Sequence, residues 1–153
     1  MLSFIKEIFQ PDQNNRKGNF SEDQKVQIAA STLLLEIAKA DSNFSNEEYR
    51  KITELIKSMF QLSDEQVHEI IDLAEDWISK SVSLYEFTEI INKHFSQDDK
   101  YELVKNLWKI VYEDDILDKY EEHLVRIISN NLKLSHREMI AAKLEAKGNP
   151  DVS

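Results

Sequence analysis

Apolar side chains recur at three- and four-residue spacing along almost the whole chain, the period of a helix with one buried face and not of a strand. The starts of the helices are legible as well. A Ser or Asp followed three residues later by an acid or amide can satisfy exposed amides of a first helical turn reciprocally. This pattern occurs at Ser21…Gln24, Ser45…Glu48, Ser63…Gln66, Ser83…Glu86, Asp118…Glu121 and Ser135…Glu138, with Ser96…Asp99 a weaker relative. The spacing predicts helices over 22–40, 46–60, 64–79, 84–94, 97–113, 119–131 and 136–146. Only two Gly and two Pro occur, too few for a strand-rich fold with many tight turns. The aliphatic positions Leu33, Leu34, Ile37, Ile52, Leu55, Ile56, Leu107, Ile110, Val111, Leu124, Val125, Ile128 and Leu132 form the expected core, joined by Trp77 and Trp108.

The pattern also repeats. A shift of 73 residues aligns Leu34 with Leu107, Ile37 with Ile110, Asp41 with Asp114, Ser45 with Asp118, Glu48 with Glu121 and Ile52 with Val125. One residue is then dropped, and Leu62-Ser63 meets Leu134-Ser135. Each unit reads helix, acidic loop, helix, capped turn, helix, and 84–94 links the two. The expected architecture is therefore all-α: a compact antiparallel bundle of about seven helices with an internal pseudo-twofold repeat. Residues 21–147 make the helical domain and 148–153 a tail. Before the domain, 10–20 is polar, holds Pro11 and Gly18, and reads as a flexible linker. The short apolar stretch before the linker places Leu2, Ile5, Ile8 and Phe9 on one side of a helix. It is expected to fold back on the domain; the alternative is a docking peptide for a partner or a membrane surface.

Composition narrows the function classes. With no Cys, disulfides, zinc–thiolate sites and cysteine nucleophiles are excluded. Against 19 basic residues stand 29 acidic ones, a net charge of -10, which repels phosphate backbones and anionic membranes and attracts cations. No apolar run approaches the roughly 20 residues of a spanning helix, and no secretory leader is evident, so a soluble cytoplasmic protein is the expectation.

The acid is concentrated in two loops of common pattern, D-x-x-[FL]-[SD]-x-x-E, at 41–48 and 114–121. Capping accounts for much of it. Ser45 and Asp118 sit at N-cap positions, Glu48 and Glu121 at the third helical position, and Glu47 and Glu122 in a first turn where the helix dipole favours negative charge. Capping does not account for Asp41 and Asp114. Each follows the end of a helix, where the dipole opposes a carboxylate by about 0.3–1 kcal/mol. Either they accept backbone hydrogen bonds in a turn, or a hard cation draws the Asp, a loop oxygen and the following Glu together. Neither loop is an EF-hand, since the sixth position holds Asn46 or Lys119 in place of Gly. Other constellations are thinner. Glu65-x-x-His68 has no second copy to make a di-iron site, and His94, His123 and His136 lack partners at ligand spacing. No nucleophile-elbow or phosphate-cradling motif is present.

Taken together, "LLLEIAKADSNFSNEE" at 33–48, "VSLYEFTEII" at 82–91, "LWKIVYEDDILDKYEEHLVRII" at 107–128 and "LSHREMIAAKLEA" at 134–146 resemble the TerB-like tellurite-resistance family. The resemblance covers about 21–147. It implies a compact helical domain with two acidic clusters that chelate metal, a link to tellurite or related stress, and a role in interactions and not catalysis. Carried over by position, the metal candidates are Asp41 and Glu48, then Asp114, Asp118 and Glu121. Similar chains carry Asp-Gly where this one has Asp41-Ser42 and Asp114-Asp115, so its first loop departs further from the pattern. The expected function is a non-enzymatic module that binds a divalent cation and acts through protein partners. All-oxygen ligands favour calcium or magnesium over a transition metal. The alternative is a metal-free interaction scaffold whose acidic loops only cap helices.

Overall fold

The computed structural model describes residues 21–40, 45–80, 83–112 and 119–148. Among the described residues there are seven α-helices and no strand: α1 (Glu22–Lys39), α2 (Asn46–Phe60), α3 (Asp64–Ser79), α4 (Leu84–His94), α5 (Gln97–Val111), α6 (Lys119–Asn131) and α7 (His136–Ala146). All seven starts fall where the capping signatures place them. Six N-cap serines accept a hydrogen bond from the backbone amide three residues on. The seventh expected cap, Asp118, lies outside the described residues. The full reciprocal box forms at Ser21, Ser63 and Ser135. At Ser45, Ser83 and Ser96 only the cap hydroxyl's half is present. The one clear boundary difference is at α5, which ends at Val111 and not at 113.

α1 is the axis of the bundle. It packs against α3, α4 and α5, and more lightly against α2 and α6. Its stretch from Val26 to Leu35 is buried on every face. Ala29, Ala30 and Ala38 keep its girth small enough for neighbours on all sides, and Leu33, Leu34, Leu35 and Ile37 fill the space between them. Each such aliphatic side chain contributes about 1.5–3 kcal/mol on burial. The buried Thr32 hydroxyl on this helix is satisfied locally, donating to the Ile28 carbonyl at 2.7 Å. In the other half of the chain α5 packs against α7 and α6. The Tyr101 hydroxyl of α5 donates to Glu145 of α7 at 2.5 Å, and Lys105 reaches the same carboxylate at 3.4 Å. Burial, then that hydrogen bond, pushes the Tyr101 hydroxyl up to about 12. Trp108 is a core residue as expected, while Trp77 is only half-buried and packs against the core from the end of α3.

The α2–α3 and α6–α7 corners are built alike. Gln61 and Lys133 adopt left-handed backbone, with φ of 55° and 64°. The next residue turns back, Leu62 N–H donating to the Lys57 carbonyl and Leu134 N–H to the Ser129 carbonyl, both at 3.1 Å. Leu62 and Leu134 are buried, the apolar contact that accompanies such a helix stop. Glycine is the residue best suited to that backbone. Gln61→Gly is therefore expected to stabilise the fold by about 0.5–1 kcal/mol, the left-handed strain relieved exceeding the added unfolded-state entropy. A higher urea midpoint at unchanged slope checks it.

Candidate metal centre at the first turns of α2 and α6

The two acidic loops join α1 to α2 and α5 to α6. α1 closes at Ala40, whose backbone N–H donates to the Ile37 carbonyl, and Asp41 follows directly in sequence. α5 closes at Tyr112, two residues before Asp114. Of the five expected ligands, Asp41, Asp114 and Asp118 lie outside the described residues. Glu48 and Glu121 are described, in the first turns of α2 and α6.

These two have an unusual setting. Glu48 is 8% exposed and Glu121 2%, and they are the two buried carboxylates among the described residues. Other acids of first helical turns, such as Glu22, Glu47, Asp64 and Glu86, are exposed, as helix-capping acids ordinarily are. Burying an ionised carboxylate is costly unless a cation or several hydrogen bonds compensate it. The Glu48 backbone amide donates to the Ser45 hydroxyl at 3.1 Å, and that hydroxyl in turn donates to Glu48 Oε1 at 3.5 Å. A carboxylate held in this way offers oxygen, the donor a hard divalent cation takes.

Beside Glu122, the neighbour of Glu121 in sequence, stands an aromatic and basic wall that the sequence did not reveal. Trp108 and Tyr112, one turn apart at the end of α5, stack with ring centroids 5.9 Å apart. Lys143 of α7 lies 5.2 Å over the Trp108 ring, and Lys147 lies 5.3 Å over that of Tyr112. Glu122 is held by Arg126 at 3.1 Å and by Lys143 at 3.3 Å. Burial, then the charge of Glu122, raises the Tyr112 hydroxyl above its usual value. Glu122 is therefore occupied by cations of its own chain, and Glu121 next to it is buried. The spacing Arg126, four residues after Glu122, was visible in the sequence; the approach of Lys143 depends on α7 packing across α5 and was not.

Other sequence candidates are not assembled. His68 is exposed and stacks on Tyr49, its Nδ1 3.5 Å from the tyrosine hydroxyl. His94 meets Glu22 at 3.3 Å on the surface. Among the described residues no three His, Asp or Glu side chains converge as metal ligands. Nor is any described helix long and apolar enough to cross a membrane.

A family model described as tellurite resistance protein TerB matches residues 27–144, well over half of the chain. The chain belongs to the TerB family. The matched span runs from the first turns of α1 to the last turn of α7 and includes both acidic loops. Among solved structures, a protein of unknown function, PG1108, from Porphyromonas gingivalis W83 is similar to this TerB-family chain, with a TM-score of 0.60 and 19% identity. The likeness covers 84% of this chain and 97% of the other, and at that identity it speaks for the fold alone. No curated protein sequence matches the chain significantly.

Proposed function

We propose that this TerB-family protein is a non-enzymatic, cytoplasmic helical module that binds a divalent cation at its acidic loops and acts through protein partners in the response to tellurite or related stress. The observation that carries the reading is the burial of Glu48 and Glu121, at matched positions after the two acidic loops. A first-turn acid ordinarily serves the helix dipole from solvent; two of them sequestered at matched positions place carboxylate oxygens, the donors a hard cation takes, at both loops. The repeat supports treating the loops as a pair. α1 packs on α3 as α5 packs on α7, and the corners at Gln61 and Lys133 are the same turn, as expected of two copies of one unit.

The residues that would hold the ion are Asp41 and Glu48 in the first unit, and Asp114, Asp118 and Glu121 in the second. All are oxygen donors, suited to calcium or magnesium. The second set carries more charge, with Asp115 beside it, and is the tighter site. The ion's part would be to neutralise the loops and fix the angle between each helix pair, and so the surface offered to a partner. Titration calorimetry tests this. Calcium should bind the wild-type protein saturably, and the tighter event should vanish in Asp114→Asn. Absence of heat with both calcium and magnesium, with an unchanged melting temperature in millimolar amounts of either, would leave the metal-free scaffold.

A further inference from the structure

A groove of about 380 Å³ opens between the start of α1, the end of α3 and α4. Among the described residues, its apolar lining comes from Trp77 and Ile90, with charged residues including Glu22, Lys25, Lys80 and Lys93 around them. Trp77 is half-buried, one face of its indole stacked on buried Phe87 with centroids 5.9 Å apart. The charges are largely paired with one another or with neighbours: Lys25 lies 3.7 Å from Glu22, and Lys80 3.0 Å from Asp76. An apolar centre with a charged margin is the anatomy of a docking surface. The volume is at the small end of the about 300–1,000 Å³ of ligand pockets, room for a few side chains.

We propose that this groove is the docking site of the chain's own N-terminal segment, with side chains from Leu2, Ile5, Ile8 and Phe9 against Trp77 and Ile90. The position of the groove favours this occupant over a second copy or a separate peptide. The segment joins the domain at Ser21, the residue next to Glu22 in the groove lining. The stretch between the apolar residues and Ser21 is the polar 10–20, and a coil of that length reaches about 18 Å, enough to return to a surface that begins at its own attachment point. A tether this short sets an effective concentration in the millimolar range, so a contact of only about 0.1 mM affinity stays closed about nine-tenths of the time. Leu2, Ile5, Ile8 and Phe9 recur at helical spacing, while Lys6 and Glu7 between them carry both signs, as the groove margin does.

The chain has two tryptophans, and Trp108 is 0% exposed, so a polar quencher such as acrylamide reads Trp77. In the full chain carrying Ile5→Asp and Ile8→Asp, the quenching slope should rise roughly twofold or more over wild type, with a red shift of emission, because the groove then stands open most of the time. A synthetic peptide of residues 1–20, added to that variant, should return the slope toward the wild-type value with saturation. An equal slope in wild type and variant would overturn the proposal. So would a slope that falls with protein concentration in both proteins alike, since the occupant would then be a second copy.

Discussion

Trp108→Ala should lower folding stability by about 3–5 kcal/mol, a large share of the about 5–15 kcal/mol that holds a domain of this kind together. The residue is 0% exposed and the largest of the fully buried side chains. Its ring is stacked on Tyr112 and covered by the Lys143 ammonium, so the substitution removes a contact between α5 and α7 as well as apolar area. The hole cannot collapse easily, because α5 is fixed on its other faces by α1 and α6. Trp108→Phe should be much milder. It retains an aromatic ring and removes an indole N–H that has no acceptor among the described residues, and an unsatisfied buried donor itself costs about 1–3 kcal/mol. Urea unfolding followed by circular dichroism checks both. The alanine variant should show a markedly lower midpoint at unchanged slope, and near-equal midpoints for the two variants would contradict the packing described here.

The second large effect is conditional on calcium. Glu121 is 2% exposed, and glutamine preserves its shape while removing its charge. Without metal, Glu121→Gln should be close to wild type in stability, because the amide keeps an acceptor oxygen for the partners Glu121 has within the chain while the cost of a buried charge is relieved. With calcium at a hundredfold excess over its dissociation constant, the wild-type protein should gain about 2.7 kcal/mol. For a chain of this length that is a rise of about 5–11 °C in melting temperature. The variant should gain little. A wild-type rise that survives intact in the variant would place the ion elsewhere.

The helices were legible from the sequence because their starts are marked by serines with a fixed chemical task, and Ser21, Ser45, Ser63, Ser83, Ser96 and Ser135 all perform it. Their ends are less well marked. After Val111 the residues Tyr112 and Glu113 contain no breaker, so the periodicity gave no reason to stop α5 where it stops. The central place of α1 was only half visible. Leu33, Leu34 and Ile37 were expected inside, but Gln27, Ser31 and Thr32 are buried with them. Polar residues on an axial helix look, in sequence, like the outer face of a peripheral one. Trp77 failed in the opposite direction: its size suggested the core, and its position at the end of α3 leaves it half-buried. At the candidate site the residue types and their spacing were readable, and the burial of Glu48 and Glu121 was not. A solvated capping acid and a sequestered one share the same sequence signature, and only the packing of α2 and α6 against the rest of the bundle separates them.

The central claim is that a cation sits in the loop between α5 and α6, and terbium luminescence tests it most directly. Terbium substitutes for calcium at oxygen sites and emits when a nearby aromatic ring is excited; Trp108 and Tyr112 stand at the end of α5 where that loop begins. Excitation of these rings should give sensitised terbium emission that saturates, is displaced by calcium, and is lost when Asp114→Asn and Glu121→Gln are combined. Emission that is absent, or that persists unchanged in the double variant, would contradict the account.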